Sequence, residues 1–215
     1  MNTRQNICFL VNTLSQFLID LRNVHLITAK HILRYLRGTV DYGLKHDANQ
    51  KINLEGYVDS YWAGSAIDRK STSGCCFNME SGVISWFSRN QSCVELSTTE
   101  VEYVVAYSAS CEAVWLRKLL SDIFDLQLDA TCIHCDNQSC EKLSENPVFH
   151  DKSKHIEIKY HYIRDMVQRG EVKLQYVATE EQIVDVLMKS LARLKFEYFR
   201  EKLGVLRIGV SSKRK

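Results

Sequence analysis

Residues 97–124, STTEVEYVVAYSASCEAVWLRKLLSDIF, decide how the rest of the chain is read. Glu102, Val105, Ala106, Ala109, Ala113, Leu116 and Leu120 recur at the spacing of one helix face, with Ser97, Thr98 or Thr99 available as an N-cap. The pattern predicts a long helix whose inward stripe is apolar except at Glu102. A carboxylate on such a stripe must find a buried partner, as in a salt bridge, or a metal. Glu100 falls on a different face near the helix start, where a negative charge complements the helix dipole. Glu102 is therefore the better ligand candidate of the two.

Strand-like runs precede this helix at 53–59, 74–79 and 82–88, the last two joined by Glu80, Ser81 and Gly82 in a tight hairpin. After it come a strand at 131–135, a short helix near 138–145, a basic helix near 153–169 and a strand at 171–178. Helices at about 180–189 and 193–203 complete the pattern. Hairpin strands followed by alternating strands and helices predict an α/β fold, a mixed sheet with helices packed on it.

Two aspartates close predicted strands. Leu54 and Val58 share one face of the first strand while Glu55, Tyr57 and Asp59 share the other, which leaves Asp59 at the carboxyl end. Asp136 ends the strand at 131–135. Sites in α/β sheets gather outside carboxyl strand ends, so parallel pairing would make these residues neighbours. Asp is also a common loop residue after any strand. Asp185, between Val184 and Val186 on a predicted helix, reads by itself as a surface residue.

Composition sets the outer limits. The 215 residues can bury a sizeable core, and 45% hydrophobic residues, 25% charged residues and a net charge of +2 describe an ordinary globular protein. Nucleic-acid contacts would have to come from local clustering of charge. Apolar runs are too short to span a bilayer, which needs about 20 residues, and no membrane partner is expected. The N-terminal segment lacks a compact signal-peptide core, so an intracellular protein, cytoplasmic or nuclear, is the expectation. The eight cysteines are then expected as thiols, and Cys132-x-x-Cys135 without a second Cys/His pair is a poor zinc site.

Residues 1–40 read as two amphipathic helices, with Ile7, Leu10, Val11, Leu14 and Leu18 on one stripe and Ile32, Leu33 and Leu36 on the other. Such stripes need a partner that this short segment does not supply, so it looks like the tail end of something larger.

Several strings together carry a family resemblance. WAG with DRKSTSG, VISWFS, LSTTEVEY, CDNQS, NPVFHDKSKHIEIKYHYIRD and TEEQIVD, in this order, resemble the RNase H domain of copia-type LTR retrotransposon polyproteins. LSQFL and HILRYLRGTVDYGL resemble the end of the reverse transcriptase that precedes it. The resemblance implies an RNase H-like fold, a five-stranded mixed sheet flanked by helices, here preceded by a short helical segment. It divides the chain into a reverse transcriptase remnant at 1–50, an RNase H-like domain at 51–205 and a basic tail at 206–215.

The resemblance also implies a set of four carboxylates, Asp59, Glu102, Asp136 and Asp185, binding two Mg²⁺ ions, with Mn²⁺ as a substitute. The implied reaction is hydrolysis of the RNA strand of an RNA·DNA hybrid, and the remainder of the polyprotein is the implied partner. YVDS at 57–60 imitates the YVDD polymerase motif, but WAG and DRKSTSG follow it and no polymerase palm precedes it.

Substrate handling is assigned to Lys152, Lys154, His155, Lys159 and Arg164, whose helical spacing suits successive phosphates, although a solvated helix face explains them equally well. Ser71, Thr72, Asn137 and Gln138 flank the carboxylates and can bond sugar and phosphate oxygens.

The chain departs from the family pattern in several places. No histidine lies between His161 and Asp185, where cellular RNases H carry a mobile one, and Glu180 or Glu181 stands there instead. Ser60 and Tyr61 replace Ala and Asp, Ser65 replaces Asp, and Gln5, Ser190, Ala192 and Leu194 replace prolines, leaving Pro147 alone. Val101, Val184 and Met188, like several of the lost prolines, are reachable from the family residue by a single C-to-T transition. A decayed, inactive genomic copy that folds or binds nucleic acid without cleaving it is the alternative reading. An intact parent element without an excess of such transitions would refute that history.

Overall fold

The computed structural model describes residues 3–47, 52–61, 71–79, 81–91, 98–137 and 154–209, with backbone alone at 98–100 and 154–157. After a 3₁₀ turn at Gln5–Ile7 come α1 (Cys8–Ser15), α2 (Asn23–Gly38) and the short β1 (Tyr42–Leu44). Strands β2 (Leu54–Tyr61), β3 (Thr72–Met79) and β4 (Gly82–Asn90) lead into the long α3 (Thr98–Phe124). There follow β5 (Thr131–Cys135), α4 (Lys154–Gln168) and β6 (Val172–Tyr176). A 3₁₀ turn at Thr179–Glu181, α5 (Asp185–Met188), α6 (Arg193–Lys202) and β7 (Val205–Arg207) complete the described chain.

Five strands form one mixed sheet in the order β4-β3-β2-β5-β6. The hairpin strands β2, β3 and β4 are antiparallel, and β5 and β6 add in parallel to the other edge of β2. This is the five-stranded mixed sheet flanked by helices that the family resemblance implies. Alternation within β2 produces its two faces: Leu54, Gly56 and Val58 are buried while Glu55, Tyr57 and Asp59 are half-buried.

Both faces of the sheet are covered. Leu54, Val58, Cys75, Phe77 and Ile133 pack under the α3 stripe of Val105, Ala106, Ala109, Ala113, Leu116 and Leu120, joined by Ile163 and Met166 of α4. On the other side Cys76 and Val83 meet Ile183, Val184, Val186, Leu187, Met188, Phe199 and Leu203, together with Cys8 of α1. β3 is buried on both faces and carries alternate residues into the two cores. Space between strands is tight: a Cβ on Gly56 would lie 2.6 Å from the Phe77 ring, its cross-strand partner.

Two elements were not readable from periodicity. β1 pairs antiparallel with β7, and the Arg207 guanidinium donates to the Asp41 carboxylate beside them. Strands of three residues are too short to show an alternating pattern. Gly204, at φ +79°, makes the turn into β7, where a Cβ would lie 2.6 Å from the Ser81 carbonyl oxygen.

The helix expected over 180–189 is broken. Gln182 sits in extended backbone (φ −74°, ψ 93°), and its fully buried amide donates to the Val58 carbonyl of β2 at 2.8 Å. Anchoring that side chain across the sheet end shortens the helix to α5. The helix expected near 138–145 lies outside the described residues.

The N-terminal helices are only partly covered. Ile7, Cys8 and Ile32 are buried, whereas Leu18, Leu21, Val24, Leu26, Ile27 and Leu33 are exposed. Among the described residues no helix is long and apolar enough to cross a membrane.

Candidate active site

Parallel pairing of β2 and β5 sets Val58 beside Cys135, so Asp59 stands next to Asp136, which follows β5; Asp59 does not close its strand as expected, because pairing with β3 carries β2 on to Tyr61. Antiparallel pairing sets Asp59 opposite Gly74 of β3, and the absence of a side chain at Gly74 lets α5 close over this point. A Cβ there would lie 2.5 Å from both Val184 Cγ1 and Met188 Sδ. α5 thereby brings Asp185 to the same sheet end. Glu102, in the first turns of α3, completes the group through Asn137: the Asn137 amide donates to Glu102 Oε2.

The surroundings correct the reading of Asp185 as a surface residue. It is 0% exposed, because Val184 and Val186 anchor their short helix in the second core. Both of its oxygens meet lysines: Lys189 Nζ lies 2.6 Å from Oδ1 and Lys195 Nζ 3.2 Å from Oδ2. The Lys189 ammonium also lies 3.7 Å from Asp59 Oδ2.

Burial and crowding raise the proton affinities of these carboxylates. Burial pushes Asp59 up to about 8, reinforced by the charge of Asp136 and opposed by Lys189, and a hydrogen bond to Asp185 raises it further. Glu102 is pushed up to about 7 by burial, with Asn137 opposing and Asp136 reinforcing the rise. Burial also raises Asp136, against a 3.3 Å hydrogen bond from the Thr179 hydroxyl. Burial works against the charged form of Lys189, but its bond to Asp185 and the charges of Asp59, Asp185 and Asp136 outweigh it, and its pKa rises. Mutually repelling carboxylates in a poorly solvated site call for a cation.

The donor chemistry suits a hard divalent ion, since Mg²⁺ takes carboxylate oxygens. As arranged, Lys189 supplies the positive charge, and among the described residues no three His, Cys, Asp or Glu side chains are grouped to hold a metal. Asp185 Oδ2 accepts a hydrogen bond from Lys195, while the buried Oδ1 has the Lys189 ion pair but no hydrogen bond. Cys132 and Cys135 diverge: Cys135 is in the core, while the Cys132 thiol donates to Gln175 Oε1 at 3.1 Å.

The other predicted residues divide by position. Thr72 pairs with Tyr61 at the same sheet end and donates to Asn90 Oδ1 at 3.1 Å. Ser71 is 2% exposed, and its carbonyl accepts the Gln91 N–H at 2.8 Å. Lys159 and Arg164 are half-buried on α4, which packs on α3 through the Tyr103–Tyr160 and Tyr107–Tyr162 ring pairs. Lys154 and His155 are placed by backbone alone at the start of α4, and Gln138 and Lys152 lie outside the described residues.

Sequence reading missed Thr179, Gln182, Lys189 and Lys195. Only Lys189 left a signal: it stands four residues after Asp185, the spacing at which helical side chains of opposite charge meet. Glu181 accepts the Tyr198 hydroxyl at 2.7 Å.

No family model matches the chain. It is 39% identical over 206 residues, 96% of its length, to the retrovirus-related Pol polyprotein from transposon RE1 of Arabidopsis thaliana. It is also 39% identical over 203 residues, 94% of its length, to that from transposon TNT 1-94 of Nicotiana tabacum. The chain spans 14% of the first polyprotein and 15% of the second. Among solved structures, the N-terminal RNase H domain of a Mycobacterium tuberculosis protein superposes with a TM-score of 0.47 at 11% identity, over 71% of this chain and 99% of that one. Over nearly all of its own residues, then, this chain is similar to a short segment of the retrovirus-related Pol polyproteins of transposons.

Proposed function

We propose that the chain carries the RNase H activity of a copia-type retrotransposon polyprotein, cutting the RNA strand of RNA·DNA hybrids with two Mg²⁺ ions, for which Mn²⁺ can substitute. The observation that carries this reading is the meeting of Asp59, Asp136 and Asp185 at one sheet end, with Glu102 beside them through Asn137. Asp59, Glu102, Asp136 and Asp185 would hold the ions, which would supply activation of the attacking water and charge stabilisation of the leaving oxygen. The protein's part is to hold the carboxylates. β2 and β5 fix Asp59 and Asp136 by parallel pairing, Ser60 N–H holds Asp59 Oδ1 at 2.6 Å, and Thr179 holds Asp136. Thr72, Asn137 and the cations of α4 are assigned to sugar and phosphate contacts.

Residues 1–50 are read as the C-terminal part of the reverse transcriptase, 51–205 as the RNase H-like domain and 206–215 as a basic tail. The exposed apolar side chains of α1 and α2 support a larger body as the partner of the first segment, namely the rest of the polyprotein.

A second reading rests on one specific observation. Both oxygens of Asp185 face lysine ammonium groups, a pairing that a folded but inactive copy would keep. One experiment separates these readings: incubate the full chain and Asp136→Asn with a labelled RNA·DNA hybrid and Mg²⁺. Cleavage lost in the variant supports the nuclease. Tight, salt-sensitive binding without cleavage supports a binding module, and neither cleavage nor binding supports the decayed copy.

A further inference from the structure

We propose that Lys189 is the internal counter-cation of the carboxylate group, holding Asp185 beside Asp59 until a divalent ion displaces its ammonium. The inference rests on the metal-binding reading above. The Asp185 side chain is 1% exposed, and its two oxygens have two ammonium partners, at 2.6 Å from Lys189 and 3.2 Å from Lys195. These contacts differ in kind. Lys189 also reaches Asp59 Oδ2 at 3.7 Å, so one ammonium joins carboxylates carried by α5 and by β2. Lys195 touches only Asp185 within the group, and its ammonium lies 5.1 Å from the Phe199 ring centre.

A divalent ion shared by Asp59 and Asp185 must take oxygens that Lys189 now contacts. The two cations repel, and they compete for the same lone pairs. Lys189 has a way out: its side chain is 30% exposed, and a flexible four-carbon stem lets an ammonium move into water while the stem stays packed. The lysine thus offsets part of the site's negative charge and keeps Asp185 in place when no ion is bound, and it lowers apparent ion affinity because it must be displaced.

Calcium tests this, since it binds the same oxygen donors and lets binding be followed without turnover. Ca²⁺ binding by calorimetry and thermal midpoints in EDTA and in saturating Ca²⁺ are measured on the full chain, Lys189→Met and Lys195→Met. Removing the competing charge is expected to tighten Ca²⁺ binding roughly tenfold in Lys189→Met, with a smaller gain in Lys195→Met. The Lys189→Met midpoint falls in EDTA and recovers in Ca²⁺. Equal losses in both conditions, or unchanged affinity, would overturn the inference and leave Lys189 a structural ion pair. Should Lys189→Met fail to fold, Lys189→Arg decides: a guanidinium that pairs carboxylates in a fixed fork is displaced less readily and weakens Ca²⁺ binding. Unchanged binding in that variant also refutes the proposal. If the unmodified chain binds no divalent ion, the metal-dependent reading itself fails, and this inference with it.

Discussion

Replacing Gly74 by alanine is expected to lift α5 off the sheet and disperse the site. A Cβ on Gly74 would lie 2.5 Å from Met188 Sδ, 2.5 Å from Val184 Cγ1 and 2.6 Å from Met188 Cγ. Non-bonded carbons settle at about 3.5–4.0 Å, so every contact is short by about 1 Å. Val184 and Met188 are both 0% exposed and have no solvent to retreat into. Overpacking of this kind costs about 1–3 kcal/mol. For a chain of this length, each kcal/mol moves the melting midpoint by roughly 2–4 °C, which gives a fall of about 2–12 °C. Asp185 opens α5 and Lys189 follows it, while Asp59 faces Gly74 across the strand pair. A displacement of about 1 Å between those carboxylates would lower hybrid cleavage on the order of 100-fold. Thermal unfolding by circular dichroism and a hybrid-cleavage assay measure both effects. Gly38→Ala is the control, because nothing lies within 4 Å of a Cβ there. A Gly74→Ala midpoint within about 1 °C of the parent, with full cleavage, would refute the packing that joins sheet to site.

Other consequences are separately measurable. Asp185→Asn removes the charge shared by Lys189 and Lys195; both lysines are about one-third exposed, so water compensates in part and the expected loss is about 1–3 kcal/mol in denaturant unfolding. Asp59 and Glu102 hold protons up to about 8 and about 7, so a metal must displace them in acid, and Mg²⁺ affinity is expected to rise about tenfold per pH unit for each proton released. Without metal the sign reverses: folded Asp59 and Glu102 bind protons more tightly than the unfolded chain does, so their contribution to stability is full below about pH 4 and is lost as pH rises through about 7 to 8. Lys159→Ala and Arg164→Ala are each expected to reduce the salt dependence of hybrid binding by about one ion in a log–log plot, leaving the melting midpoint within a few degrees.

The amino-acid pattern disclosed much of this architecture. Alternation in β2, the long α3 stripe and the strand leading to Asp136 are local signals, so these elements were legible, although β2 runs two residues past Asp59 to Tyr61. Asp185 was not. Its burial comes from the sheet meeting Val184 and Met188 across Gly74, a contact between distant segments that no local period records. The same applies to Gln182, which breaks its helix to reach a carbonyl of β2, and to the β1–β7 pair, whose strands come from opposite ends of the described chain. Lys189 was visible as a helical neighbour of Asp185, but only the fold reveals that it also meets Asp59.

The most direct test of the carboxylate site is Mn²⁺ binding followed by electron paramagnetic resonance on the full chain and on Asp136→Asn. A divalent site built by Asp59, Glu102, Asp136 and Asp185 predicts loss of the free Mn²⁺ signal on adding the full chain, and its return when Asp136→Asn replaces it. A free-ion signal unchanged by the full chain, or bound equally by both proteins, would contradict the account.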